Sequence, residues 1–289
     1  MSAPASPSPT AAPVALLGAG LLGSQMVLRL REQGHPVRVW NRSPQKLAPL
    51  VAAGAQAAAT PADAVAGAAR VHLVLAEDDA VDAVLAALLP ALGGGVPVYD
   101  HSTNLPARVA ARRAAHPGVA YRSAPVFMSP ADCRKGTGLM LIEGDEATVA
   151  ASTPALQPMT GRLWPVGDLP GRAAALKLCG NATLLSFAAL GGDLLAVAGG
   201  AGLGLPDLQE LFQNFQIGGA LPIFLQRVQR AGSGPASFEL SMARKDLRLM
   251  IETAGEGPLT VLPAVAGAMD AAIDRGLGAE DFAIFAKRG

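Results

Sequence analysis

The residues best suited to chemistry are a lysine and an asparagine four positions apart. Lys177 sits in Ala173-Ala-Ala-Leu-Lys-Leu-Cys179, an apolar stretch where a cation is out of place. Desolvation disfavours an ammonium, so such a lysine titrates closer to neutrality and can both give and take a proton. Asn181 follows one helical turn later on the same face, where its amide can orient the lysine or hold a ligand. For an isolated lysine the plainer reading is a surface side chain whose stem covers apolar helix. Ser102 and Thr103, within Asp100-His-Ser-Thr-Asn-Leu-Pro106, offer hydroxyl and backbone donors. The same pair also suits the start of a helix at Pro106. Lys245, before Asp246-Leu247, is either a second functional cation or a solvated lysine paired with an acid.

The elements that must position these groups begin with Val14-Ala-Leu-Leu17, four apolar residues running into Gly18-Ala-Gly20-Leu-Leu-Gly23. An amphipathic stretch to Gln33 follows, closed by Gly34. Strand, tight turn and helix in that order suit a pyrophosphate. Gly18 allows the turn, Gly20 lets backbone N–H groups approach the phosphates, and Gly23 lets helix and strand pack closely. The amides of Leu21 and Leu22 then open a helix whose N-terminus favours anions. With 33 glycines in 289 residues the motif alone is weak, and its context carries it.

The second strand, Val37-Arg-Val-Trp40, ends at Asn41-Arg42-Ser43. An acid there would hold the adenosine ribose of NAD; neutral and basic donors suit a 2′-phosphate, so NADP(H) is expected. Further strands are expected at Val71–Leu75 and Val96–Tyr99, with helices from Pro44, Thr60-Pro61 and Glu77 between them. Alternation with short links predicts a doubly wound parallel sheet of Rossmann type. Ligands lie at the carboxyl ends of such strands, which places Leu75, Ala76, Ser102, Thr103 and the segment Ala124 to Pro130 on the binding side. Gly136 to Gly144 reads as a hairpin-like edge of the sheet.

Beyond Pro165 the texture turns helical. A long pattern from Gly171 to Gly199 is followed by helices over Leu208–Gln216, Leu221–Arg230, Phe238–Ala254 and Pro263–Arg275. The expected organisation is a Pro/Ser/Ala tail over 1–12, a dinucleotide-binding domain over 13–166 and an all-helical domain over 167–289. The long helix joins the two domains, with its first turns facing the cleft.

Lys plus Arg and Asp plus Glu are both 23, a balance that offers nothing to nucleic acid or an anionic membrane. Two cysteines without a paired spacing and four scattered histidines exclude a disulfide framework and a zinc motif. No signal peptide or apolar span is read, so a cytoplasmic location is expected.

In this order the glycine turn, Asp100 to Pro106, Ala124-Pro125-Val126, Gly171…Lys177…Asn181 and Lys245-Asp246-Leu247 resemble the β-hydroxyacid dehydrogenase family over about residues 13–287. That family includes 3-hydroxyisobutyrate dehydrogenases and glyoxylate or succinic semialdehyde reductases. The resemblance implies hydride transfer between a nicotinamide and a small aldehyde, keto acid or 3-hydroxyacid. It also implies Lys177 as general acid–base with Asn181 beside it, Ser102 and Thr103 in the substrate pocket, and Lys245 and Thr103 near the nicotinamide. A homodimer or homotetramer is expected.

One departure stands out. The family continues Ala-Pro-Val with Ser-Gly-Gly, whose amides bind the substrate carboxylate. Here Phe127-Met128-Ser129-Pro130 follows, and side chains hinder the close approach that glycine permits. Phe127 and Met128 therefore enter the list of substrate-binding candidates, and a larger or less polar carbonyl compound is expected. An imine reductase-like enzyme on the same fold is the alternative. Those enzymes generally lack the lysine, so Lys177 counts against it. A non-catalytic NADP-binding protein is a further alternative.

Overall fold

The computed structural model describes residues 12–200, 202–214, 221–254, 259 and 261–287. The expected tail lies, but for its last residue, outside them. The chain divides into two compact units between Ala175 and Leu176.

The first unit is built on strands β1 (Val14–Leu17), β2 (Val37–Trp40), β3 (Gln56–Ala57), β4 (Arg70–Leu73), β5 (Val98–Asp100) and β6 (Tyr121–Ser123). They form a parallel sheet in the order β3-β2-β1-β4-β5-β6, as the alternating pattern predicted. All four residues of β1 are buried, but they face two ways. Val14 and Leu16 join one apolar cluster with Leu30, Val39 and Tyr99, while Ala15 and Leu17 join another with Leu73, Leu85 and Val98. Strand side chains alternate between faces, so a strand covered on both sides reads as a continuous apolar run.

Helix α1 (Leu21–Glu32) follows β1. The Pro44 segment begins as a 3-10 turn over Pro44–Leu47 before α2 (Ala48–Ala52), each preceded or opened by proline. Thr60 and Asp63 form a reciprocal capping box on α3 (Pro61–Val65). Helices α4 (Asp78–Leu88) and α5 (Pro106–Ala115) are tied by Arg112, which pairs with Asp78 and Asp82.

The Gly136 to Gly144 stretch does not edge the main sheet. After β7 (Val126–Phe127) and α6 (Pro130–Lys135), strand β8 (Leu139–Ile142) pairs antiparallel with β7 and, beyond α7 (Glu146–Leu156), parallel with β9 (Arg162–Pro165). These make a separate three-stranded sheet. Periodicity marks a strand but does not say which edge it joins.

The long helix is α8 (Arg172–Gly200), and the division between the units falls within it. In the second unit follow α9 (Leu205–Asn214), α10 (Leu221–Arg230), α11 (Leu240–Ala254) and α12 (Val261–Ile273). The sequence pattern carried the first of these to Gln216; residues 215 and 216 lie outside the described set. Helix α11 packs on α12, and the 3-10 turn Phe282–Ala286 closes against α10, α11 and α12. Arg227 anchors that turn through two bonds to Asp281, 2.9 and 3.0 Å, with its guanidinium 4.2 Å over the Phe282 ring. Helix α8 meets α10 at Gly191, where a Cβ would stand 3.4 Å from the Leu225 side chain, an ordinary contact.

Candidate dinucleotide and proton-transfer sites

The three glycines of the first turn have different surroundings. A Cβ on Gly18 would stand 2.1 Å from the Val74 carbonyl oxygen, and its φ of +110° suits glycine alone. A Cβ on Gly23 would meet the Gly18 oxygen at 1.9 Å. These two are required by the chain itself. Around Gly20, by contrast, a Cβ would meet nothing within 4 Å. Gly20 is the N-cap of α1 and supplies no side-chain bond to the first amides of that helix; its first turn carries no acid. Open space beside unfulfilled N–H groups at a positive helix end fits a dinucleotide pyrophosphate.

Asn41 ties the turn at the end of β2 to this one. Its Oδ1 accepts from the Ala19 amide at 2.9 Å, and its Nδ2 donates to the Ser43 carbonyl at 2.9 Å. Its amide thus has a structural task that the strand pattern did not foretell. Arg42 is exposed and Ser43 half-buried, with no acid in this turn.

At the carboxyl ends of β4 and β5, Asp100 gathers the loop that carries Ser102. The buried carboxylate accepts from the Ser102 amide (2.9 Å), the Asn104 side chain (2.8 Å) and the Tyr121 hydroxyl (2.6 Å). The Tyr121 phenol is pushed well above its usual range, by burial first and then by the Asp100 charge. Ser102 Oγ in turn accepts from the Leu75 amide at 2.9 Å, linking the ends of the two strands. One hydroxyl hydrogen of Ser102 remains to be donated. Leu75 and Thr103 are half-buried and Ala76 exposed at the same edge. Sequence reasoning quoted Asp100 but gave it no task; an acid at a strand end before Ser-Thr was the available signal.

The second unit holds the lysine. Half-buried Lys177 donates from Nζ to Asn181 Oδ1 at 2.7 Å. Asn181 Nδ2 donates to Asp246 Oδ2 at 2.6 Å, which settles why the amide turns its oxygen to the lysine. Lys245 Nζ stands 2.5 Å from the other Asp246 oxygen. Desolvation lowers the Lys177 pKa to about 8, with Asp246 opposing the shift and Lys245 adding to it. Lys245 is therefore ion-paired rather than solvated, at 14 % side-chain exposure. Asp246 was missed as a site candidate, although it stands next to Lys245 in the motif. What links it to Lys177 is the bond from Asn181 on α8 to Asp246 on α11, which no local pattern states.

In the first unit, Phe127 and Met128 are both half-buried, and Met128 packs on the cluster that contains Met26. Met128 Sδ lies 3.7 Å from the buried Cys133 sulfur. Among the described residues no group of histidine, cysteine and acidic side chains forms a metal site. No described helix is long and apolar enough to cross a membrane.

A six-stranded parallel sheet entered through a glycine turn defines a dinucleotide-binding protein of Rossmann type. Residues 13–167 match the NAD binding domain of 6-phosphogluconate dehydrogenase. The chain belongs to this NAD-binding family, among the β-hydroxyacid dehydrogenases, and is of an oxidoreductase class. A 3-hydroxyisobutyrate dehydrogenase of Pseudomonas aeruginosa is 29 % identical, over 83 % of this chain and 85 % of its own. In fold the chain resembles a Mycobacterium tuberculosis 3-hydroxyisobutyrate dehydrogenase solved with L-serine: TM-score 0.83, 22 % identity, 95 % of this chain and 98 % of the other. An imine reductase from Myxococcus stipitatus, solved with NADP+, has a TM-score of 0.65 at 23 % identity, covering 94 % and 98 %.

Proposed function

We propose that the protein is an NADPH-dependent reductase of a small carbonyl compound, with Lys177 as general acid–base. The observation that carries this is the chain Lys177–Asn181–Asp246, which fixes an ammonium whose pKa is drawn to about 8. A nicotinamide cofactor, when bound, supplies the hydride. Adding hydride to a carbonyl leaves negative charge on oxygen, and a positioned ammonium neutralises it by giving up a proton. Asn181 holds Lys177 through its oxygen. Asp246 and Lys245 set the charge around it. Arg42 and Ser43 receive the 2′-phosphate, Gly20 and the first amides of α1 the pyrophosphate, and Ser102 the substrate. These role assignments follow the site chemistry and the family membership.

The test is a pH profile. Reduction requires the protonated lysine, so turnover falls as pH rises through about 8. Oxidation of the alcohol requires the neutral amine, so turnover rises through the same value. Lys177→Ala keeps NADPH affinity and loses about 10²–10⁴-fold in turnover, a range expected for a general acid. Near-normal turnover in that variant rejects the role. A panel of glyoxylate, succinic semialdehyde, longer aldehydes and cyclic imines separates the reductase from an imine reductase. The departure at Phe127-Met128 is what keeps imines in the panel.

A further inference from the structure

We infer that Asn41 is a positioning residue of the dinucleotide site: its side-chain amide adds one rung to the β1–β2 ladder and ties the phosphate turn to the Arg42-Ser43 turn, without itself reading the ribose. All the groups concerned lie in the first unit, within the residues 13–167 that match an NAD binding domain. What is said of Arg42 and Ser43 rests on the NADPH reading above; what is said of the phosphate turn does not.

In a parallel pair every second amide of a strand faces the same neighbour. Val14 donates to the Pro36 carbonyl and Gly18 to the Trp40 carbonyl, each at 2.8 Å. The next rung comes one residue early. The Ala19 amide also turns towards the end of β2, because Gly18 stands at a φ of +110°, outside the extended range that alternation needs. Its acceptor is a side chain, Asn41 Oδ1, at 2.9 Å. Ala19 is buried, so an unmatched amide there is costly. The other end of the Asn41 amide is committed as well. Its Nδ2 donates at 2.9 Å to the Ser43 carbonyl, which also accepts from the Lys46 amide at 3.2 Å. Ser43 is thus held by its carbonyl, while its hydroxyl makes no capping bond to the 3-10 turn that follows. Oxygen towards N–H and nitrogen towards C=O fix the orientation of the amide, since a flip sets like against like at both ends.

This separates position 41 from the acid that holds a ribose at the same strand end in NAD-binding sheets. Such an acid accepts from the ribose hydroxyls with a carboxylate turned to the ligand. Half-buried Asn41 is turned instead to Ala19 and Ser43. A carboxylate in its place keeps the Ala19 bond and sets its second oxygen against the Ser43 carbonyl, acceptor on acceptor. It gains no ribose. A side chain without an acceptor frees the Ala19 amide, and with it the turn that carries Gly20. That turn serves the pyrophosphate, which NADH and NADPH share, so both cofactors feel the loss.

Two variants and two cofactors test this. Kd values for NADPH and NADH are measured by fluorescence titration, well below the Tm of each protein, for the unsubstituted chain, Asn41→Leu and Asn41→Asp. Asn41→Leu, isosteric and unable to accept, is expected to weaken both cofactors by about five- to tenfold, the scale of a lost hydrogen bond. Asn41→Asp keeps the acceptor and is expected to hold NADH within about threefold of the unsubstituted protein, with no gain. It is expected to weaken NADPH by at least about tenfold, since the Ser43 bond is lost and a negative charge joins the turn. Tighter NADH binding in Asn41→Asp overturns the inference, because the side chain then reaches the ribose. A loss in Asn41→Leu that is absent, or confined to NADPH, overturns it too. So does an equal loss of NADH in both variants, which removes the acceptor as the cause. If Asn41→Leu fails to fold, NADH binding by Asn41→Asp decides alone: unchanged affinity upholds the inference, and a gain or a loss of about tenfold overturns it. A preference of the unsubstituted protein for NADH overturns the NADPH reading, and the NADH comparison still decides the role of Asn41.

Discussion

At the scale of single residues, the glycine turn separates what the fold needs from what the ligand needs. Gly18 and Gly23 are surrounded by backbone, whereas Gly20 faces open space at an ordinary φ of −75°. Gly18→Ala must place a Cβ against the Val74 carbonyl and hold a left-handed φ, a strain of about 1–3 kcal/mol before the overlap is counted. Gly20→Ala loses only a favourable N-cap, at most about 1 kcal/mol. The expected outcome is that Gly18→Ala melts early or fails to fold. Gly20→Ala keeps nearly the same unliganded melting temperature and binds NADPH at least about tenfold more weakly. Melting curves and a fluorescence titration on the two variants decide it. If Gly20→Ala binds NADPH normally, the open space is not where the phosphates lie.

At the scale of elements, β4 is joined to the segments that follow β5 and β6 by a buried chain of imidazoles. Arg70 Nε donates to His72 Nε2 at 3.1 Å. His72 Nδ1 lies 2.9 Å from His101 Nε2, and His101 Nδ1 lies 2.6 Å from the Ala124 carbonyl. Donation at both ends fixes one direction: each ring is neutral, donating from Nδ1 and accepting at Nε2. No lone pair is left for another proton. Burial lowers both pKa values, His72 the further, with His101, Arg70 and His35 adding to it. A histidine whose folded pKa lies below its unfolded one gives stability above about pH 6.5 that is lost as pH falls. Each such ring contributes a slope of up to about 1.4 kcal/mol per pH unit in the acid limb. Urea unfolding between pH 7.5 and 5 should show stability falling steeply, with a shallower slope in a His72→Leu/His101→Phe variant, whatever its baseline. An unchanged slope means the rings are not the acid-labile groups. Sequence periodicity placed β4 and β5 to within one or two residues, because local apolar runs fix strands. It gave no sign that His72 and His101 meet, since β4 and β5 come together only through parallel pairing. The same limit hid Asp246 behind Lys177, and made β8 an edge of the wrong sheet. Features set by neighbours in sequence, such as the helix start at Thr60-Pro61 or Lys177 with Asn181, were legible from spacing alone.

At the scale of the whole molecule, 23 basic and 23 acidic residues leave a formal net charge of zero. A neutral protein has no overall field with which to prefer NADPH over NADH, so any discrimination must arise at the 2′-phosphate itself. Exposed Arg42 is the basic residue of the turn after β2, and a guanidinium there matches a phosphate with two parallel bonds. Ligand binding stabilises the native state by mass action, about 2.7 kcal/mol when free ligand stands at 100 times its Kd. For a chain of this size each kcal/mol moves Tm by roughly 2–4 °C, so saturating NADPH should raise it by roughly 5–10 °C. NADH at the same concentration should raise it much less. In Arg42→Ala the NADPH shift should fall towards the NADH shift, while the unliganded Tm stays within about 1–2 °C because the side chain is exposed. Added salt should weaken the NADPH shift more than the NADH shift, since an exposed ion pair is screened. An equal or larger shift with NADH in the unsubstituted protein, unaffected by Arg42→Ala, would remove the case for NADPH and leave the glycine turn as a site for NAD.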